Sequence, residues 1–184
     1  MIQSANHPGH PVTLAIPEVE TERLRLRLPS EADVAAIAEF YDSDRAEGVG
    51  GRLPRDKVWR VFATMVGHWV VRGYGMWAIE ERSTGRYCGW AGLWFPEGWP
   101  EREIGWALMA HAEGRGLAHE AALAARDHAY TVLGWRTAIS LVLPDNKRSI
   151  SLAERLGARF EADYVHPSHG SMRIYRHPAP EALQ

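Results

Sequence analysis

From Thr21 onward, apolar and polar residues alternate: Leu24, Leu26 and Leu28 fall on one side, Arg23, Arg25 and Arg27 on the other. A period of two predicts a strand with one wet face. Ser30 followed by Asp33 resembles a capping box, and Val34, Ile37, Ala38 and Tyr41 then recur at helical spacing. A second helix is predicted from Pro54, with Val58, Phe62, Met65, Val66 and Trp69 as its apolar stripe. Two strand-like runs on either side of Ser83-Thr84-Gly85 predict a hairpin. A strand from about Arg102 to Met109 leads into a loop with two glycines and then a helix to about Leu133, stopped by Gly134. Ala138 to Leu143 reads as a strand broken by Pro144 and Asp145. A short helix from about Asn146 to Leu156 ends at Gly157, and Arg159–Tyr164 and Met172–Arg176 read as the last two strands. The order β-α-α-β-β-β-α-β-α-β-β predicts a mixed α/β (α+β) domain with a mostly antiparallel central sheet flanked by helices. Residues 1–20 hold three prolines and no helical period, which predicts an N-terminal tail; 21–178 form one domain and 179–184 a C-terminal tail.

Composition narrows the class. With 184 residues, 46% hydrophobic and 24% charged, one globular domain with a proper core is expected. The net charge of -2, with no basic block, argues against nucleic acid as a partner. No apolar run approaches the ~20 residues of a membrane span, and with no charged n-region and apolar h-region at the start a signal peptide is not expected. Cys88 is the only cysteine, so no internal disulfide is expected and a reducing cytoplasm fits. Cys88 lies in a hairpin strand with no activating neighbour at a telling spacing, so it reads as core and not as a nucleophile. Eight tryptophans imply a bulky core, an aromatic-lined pocket or a subunit contact, and a homodimer would be compatible with them. The loose pairs HPGH (His7–His10) and HPSH (His166–His169) lack a cysteine or carboxylate framework, so no metal is expected.

The chemistry concentrates in HAEGRGLAHEA, His111–Ala121, where two of the most helix-averse residues stand at the mouth of a helix. The first N–H groups of a helix have no internal partner, and the helix dipole adds positive charge there, so the place suits an anion. Gly114 and Gly116 would let a phosphate approach the backbone. A phosphate loop of the P-loop kind would need a Lys after the glycines, and the dinucleotide fingerprint would need a small residue where His119 stands, so both fit poorly.

The segment Glu101–Trp135 instead resembles the acetyl-CoA-binding motif of the GNAT superfamily of N-acetyltransferases. LVLPDNKRSISLAERLGARFE resembles that superfamily's next motif, and TERLRLRLPSEAD looks like the opening of its RimJ/RimL-like branch, which includes ribosomal-protein N-terminal acetyltransferases and small-molecule enzymes. The likeness spans about Thr21 to His177. It departs at Glu113, where the pattern [QR]-x-x-G-x-[GA] has Gln or Arg, and at Ala153, where many members carry an acidic Tyr.

The resemblance implies acetyl-CoA as co-substrate, no metal, and an amine acceptor: a protein or peptide N-terminus, or a small amine. It implies a pantetheine arm paired with the backbone of Leu108, Met109 and Ala110, with the Leu108 N–H as oxyanion donor. It implies a diphosphate on the N–H groups from Gly114 through Arg115, Gly116, Leu117 and Ala118 to His119, with the Arg115 side chain in reserve. Asn146 would bond the pantetheine arm, and Ser149 would stand near the sulfur as acid for the thiolate, although both residues equally suit a helix cap. Glu103 is the candidate general base and Glu101 its reserve. The acceptor would enter near Trp77, Trp94, Trp99, Asp42, Asp44 and Glu97, with His166 a further wall candidate. Because the Tyr is missing and Glu113 departs from the pattern, a catalytically silent coenzyme A-binding sensor is the alternative.

Overall fold

The computed structural model describes residues 16–167 and 169–183. Its single sheet has the strand order β1-β2-β3-β4-β5-β6-β8-β7. The strands are β1 Val19–Glu20, β2 Leu24–Arg27, β3 Met76–Glu81, β4 Arg86–Trp94, β5 Glu103–Leu108, β6 Ile139–Val142, β7 Arg159–His166 and β8 Gly170–Arg176. The α-helices among the described residues are α1 Val34–Asp42, α2 Arg55–Arg72, α3 Leu117–Thr131 and α4 Lys147–Arg155. Neighbouring strands are antiparallel except β5 and β6, which run parallel and register at one pair only, Glu103 with Ile139.

The alternation along the strands decides which helices cover which face. On one face α1 and α2 set Ile37, Phe40, Val58, Phe62 and Met65 against Met76, Trp90 and Ala107. On the other, α3 presses Leu117, Ala121, Ala122 and Ala125 onto Leu26, Trp77, Ile79, Leu93 and Ile104. The alanine stripe lets α3 lie close to the sheet, which brings its N-terminus up to the end of β5. α4 packs Ala153 against Val142 and Tyr175, so the residue at the expected tyrosine position is buried core.

Several details differ from the periodicity. Within the predicted N-terminal tail, Val19 and Glu20 pair with Leu26 and Arg25, and Trp77 donates its indole N–H to the Pro17 carbonyl at 2.8 Å. Trp77 is therefore core on the α3 face and not an acceptor-side residue. Leu28 leaves the strand and is 36% exposed, because Pro29, which has no N–H for a ladder, follows at once. β7 and β8 each extend further toward their turn than the pattern indicates. The C-terminal tail forms a 3-10 turn at Pro180–Leu183, with Glu181 paired to Arg136 at 2.5 Å. The HPGH pair lies outside the described residues.

Candidate functional site

The parallel ladder between β5 and β6 stops almost as soon as it starts. Ile139 donates its N–H to the Arg102 carbonyl at 3.0 Å. The next N–H on that side, of Leu141, goes to the side chain of Glu103 (Oε1, 3.1 Å) and not to a β5 carbonyl. Ser140 Oγ donates to the Ile104 carbonyl at 2.6 Å, so side chains close the vertex where backbone bonds would have continued the pairing. Beyond it the strands part. A cavity of about 1330 Å³ opens there, lined by Trp106, Ala107 and Leu108 on β5 and by Leu143 past the end of β6.

Glu103 also accepts the Trp99 indole N–H at 2.6 Å and is only 7% exposed. Burial pushes its carboxyl up to about 7, against the pull of the Leu141 and Trp99 N–H groups. A carboxyl near neutral has the acidity of a general base, but Glu103 stands behind the vertex and is not itself in the wall of the cavity. Glu101, the reserve candidate, is held by a two-pronged bond from Arg176 at 2.6 and 2.7 Å and is not free for that task.

On the far side of the cleft, Gly114 and Gly116 adopt φ of +71° and +78°, a region that side chains avoid. A Cβ on Gly114 would meet nothing within 4 Å, so the backbone there faces open space. Gly116 caps α3, whose first helical bond runs from Glu120 N–H to the Gly116 carbonyl. The N–H groups of Leu117, Ala118 and His119 therefore have no acceptor within the helix, and all three residues line the cavity. Arg23, read from the sequence only as the wet face of a strand, fixes this mouth. Its guanidinium donates to the Arg115 carbonyl at 2.8 Å and to Glu120 at 2.6 Å. That holds the loop carbonyl aside and neutralises a carboxylate in the first turn of the helix. His119 directs its ring to the Arg155 carbonyl at 3.4 Å.

Three of the sequence candidates stand elsewhere. The Arg115 side chain is paired with Glu81 and lies away from the cavity wall. Met109 is buried in the α1–α2 core, its N–H bonded to the Cys88 carbonyl at 2.9 Å and its carbonyl taken by Ala112, so its backbone has nothing left for an extra strand. Ala110 is in the 3-10 turn that follows and does not reach the cavity. Of Leu108, Met109 and Ala110, Leu108 is the one in the wall.

Asn146 and Ser149 both line the cavity from the start of α4. Asn146 Oδ1 accepts the Ser149 N–H at 3.1 Å, a true N-cap. The Ser149 hydroxyl accepts the Trp106 indole N–H at 3.4 Å and keeps its own proton to give. A 3-10 segment, Asp44–Val49, supplies Asp44, Arg45, Glu47 and Gly48 to the wall. Asp44 is paired with Arg52, while Glu97 faces solvent opposite Arg72 at 3.7 Å and Asp42 is exposed outside the wall. Trp94 stacks on His68, at 4.6 Å between ring centroids. Trp99 instead joins Glu103 to His166 and His169, whose rings stand 4.7 and 5.6 Å from its own. Cys88 is buried and its thiol is pushed up by that burial, which suits core and not nucleophile. Among the described residues no three metal-ligating side chains converge, and no helix is long and apolar enough to cross a membrane.

Arg45, Arg148, Arg23 and Trp106 escaped the sequence reading. Only Arg23 left a trace there, as the wet face of a strand, while the other arginines look like any solvated charge and Trp106 like any large strand residue.

Comparison with known proteins bears on this architecture directly. The model of the acetyltransferase (GNAT) domain matches residues 23–159. Among curated proteins, the uncharacterised protein YkkB of Bacillus subtilis (strain 168) is 30% identical over 153 residues, covering 76% of this chain and 84% of that one. Among solved structures, an acetyltransferase from Agrobacterium tumefaciens str. C58 is 36% identical with a TM-score of 0.83, covering 89% of this chain and 95% of that one. RimL, the ribosomal L7/L12 alpha-N-protein acetyltransferase solved with coenzyme A, shares the fold at 17% identity and a TM-score of 0.70, over 87% of this chain and 97% of its own. With the sequence match running from β2 to the start of β7 and a relative at 36% identity superposing over nine-tenths of the chain, this protein belongs to the acetyltransferase (GNAT) family of N-acetyltransferases.

Proposed function

We propose that the chain moves an acetyl group from acetyl-CoA to an α-amine by direct attack within a ternary complex. The observation that carries this reading is the vertex of β5 and β6. A buried carboxyl titrating near 7 closes it, and the cleft beyond runs to the glycine-opened mouth of α3.

The residues present fit the co-substrate. A diphosphate needs converging N–H donors with no side chain in the way, and the positive-φ glycines and the unbonded first turn of α3 supply them. Leu108, Gly114, Gly116, Leu117, Ala118, His119 and Asn146 would hold it, and when bound it supplies a thioester carbonyl activated for attack. The Arg115 side chain drops out because it is paired with Glu81, while its backbone N–H stays in the set; Met109 drops out because both its backbone groups are taken, and Ala110 because it lies outside the cavity wall.

Glu103 takes the proton from the incoming ammonium, directly or through water. A base near 7 is only about one pH unit below an α-ammonium, at roughly 7.7–8.0, but more than three below a lysine-like amine at about 10.4. Proton transfer from a peptide α-ammonium is therefore much less uphill, which favours a peptide N-terminus over a side-chain amine. Ser149 holds a proton within the cleft and gives it to the departing thiolate while recovering one, directly or through water, from the nitrogen of the tetrahedral intermediate, in the role left open by Ala153. The single, buried, unpaired Cys88 suits a cytoplasmic setting.

Incubating the chain with acetyl-CoA and a panel of α-amines and ε-amines, with free thiol as the readout, tests the reading. Release is expected with α-amines foremost. Tight coenzyme A binding with no thiol release across the panel would replace the enzyme with a sensor.

A further inference from the structure

Glu113 puts a negative charge into a wall built to hold anions. It immediately precedes the glycines, and its carboxylate is fully engaged. Arg45 Nη1 reaches Oε1 at 2.6 Å, and Arg148 Nη1 reaches Oε2 at 2.8 Å. The two arginines arrive from opposite sides. Arg45 belongs to the 3-10 segment Asp44–Val49 on the acceptor side, Arg148 to the first turn of α4, and all three residues line the one cavity.

The 44–49 segment behaves as a strap across the cleft. Its contacts on the far side are to residues of the cofactor half. Besides the Arg45–Glu113 pair, Gly48 lies so close to Asn146 that a Cβ there would stand 2.9 Å from the amide nitrogen. The strap ends at Gly50 and Gly51, with φ of +110° and +96°, where the backbone has freedom that other residues lack.

We propose that Glu113 is an internal stand-in for a phosphate. In the cofactor-free chain it holds Arg45 and Arg148, and the diphosphate of coenzyme A takes guanidinium from it on binding. The inference rests on the coenzyme A reading above. Carboxylate and phosphate oxygens satisfy the guanidinium fork in the same way, so exchange between them needs no new donor, and the more highly charged group wins. Transfer of Arg45 carries the strap with it. Filling the cofactor half thus resets one wall of the acceptor half, and the two halves become coupled through a side chain that touches neither reacting atom.

The test is calorimetric titration of coenzyme A into the wild type and Glu113→Gln, with amide hydrogen exchange over residues 44–51 in the free and bound states. Glu113→Gln is expected to bind coenzyme A about fivefold more tightly, the scale of losing its two competing ion pairs, of which the one to the largely exposed Arg148 adds little. Exchange over 44–51 should change on binding in the wild type, while in free Glu113→Gln, where neither carboxylate nor phosphate holds Arg45, it should be faster than in either state of the wild type. The gain should persist with dephospho-coenzyme A, which keeps the diphosphate; a gain confined to the 3′-phosphorylated form would overturn the assignment. Weaker binding by Glu113→Gln would overturn the proposal too, because the carboxylate would then be positioning the arginines for the ligand instead of competing for them. Equal affinity with unchanged exchange would do the same. Should Glu113→Gln fold poorly, Arg45→Gln serves: it should still bind coenzyme A but lose the exchange response of the strap, and a retained response would sink the idea. A wild type that ignores coenzyme A would instead dispose of the underlying reading.

Discussion

The two halves of the cleft are made of different material. The half at the mouth of α3 is mostly main chain: two glycines with positive φ and three helical N–H groups without internal acceptors, steadied by Arg23. The half toward the strap is mostly side chain, Asp44, Arg45 and Glu47, with the buried Glu103 and its Trp99 partner standing behind the vertex. Main-chain recognition asks only for a charge and a shape that any phosphate anhydride provides. Side-chain recognition sets acidity and selectivity, and it can change with a single substitution. The same fold can therefore keep its co-substrate while its acceptor changes.

If that division holds, the largest effect belongs to the main-chain half. Gly116→Trp puts a bulky side chain on a left-handed backbone, with its Cβ already 3.5 Å from the Arg23 guanidinium. Calorimetry should show coenzyme A affinity reduced about 100-fold or more, some 2.7 kcal/mol. Circular dichroism should show the fold retained, since the site is at the surface and the substitution removes no core contact. Unchanged affinity would remove the loop from the account.

The side-chain half predicts a different pattern. Glu103→Gln should lower kcat by about 100-fold or more, erase the limb of the rate profile near pH 7, and leave coenzyme A affinity alone. Stability supplies a second, independent readout. The carboxyl titrates at about 7 when folded, against an ordinary 4.5, so the folded state binds the proton more tightly. Its contribution is fully present below about pH 4.5 and is lost as pH rises through 7. The loss amounts to about 3.5 kcal/mol, at roughly 1.4 kcal/mol for each of the ~2.5 pH units between the two values. Denaturant titrations from pH 5 to 8 should show that slope in the wild type and its absence in Glu103→Gln, whatever the variant's baseline. An identical slope in both would show that Glu103 does not titrate in this range.

The same division explains what could be read from the sequence. The glycines at 114 and 116 are a local, contiguous signal, because unusual backbone needs a particular residue at a particular place. The helices and strands were legible for the related reason that burial of one face repeats with the period of the element. The partners of Glu113 were not legible. Arg45 is 68 positions away and Arg148 is 35, and no spacing rule links residues that only the splay of β5 and β6 brings together. Glu103 was legible as a carboxylate on the right strand, but not its acidity, which comes from burial against Trp99 and the β6 backbone. Trp77 was misplaced because the alternation of β3 says that successive residues face opposite ways without saying which face the acceptor will use. The short β1 was missed because two residues carry no period.

The smallest effects fall where the halves meet, at the start of α4, and they separate two roles that the sequence left superposed. Asn146→Ala removes the acceptor for the Ser149 N–H and should lower stability by about 1 kcal/mol in a urea titration, because an orphaned helical donor is re-exposed. Ser149→Ala keeps that cap, since the bond runs through the backbone of residue 149. It should leave stability within about 0.5 kcal/mol and lower kcat about tenfold, with the larger deficit at high pH, where solvent is a poorer proton source for the thiolate. If Ser149→Ala lost stability and kept its rate, the hydroxyl would be a structural acceptor for the Trp106 indole, and protonation of the leaving thiolate would pass to water. The main-chain half would then carry everything the thioester needs, leaving the side chains to serve the amine alone.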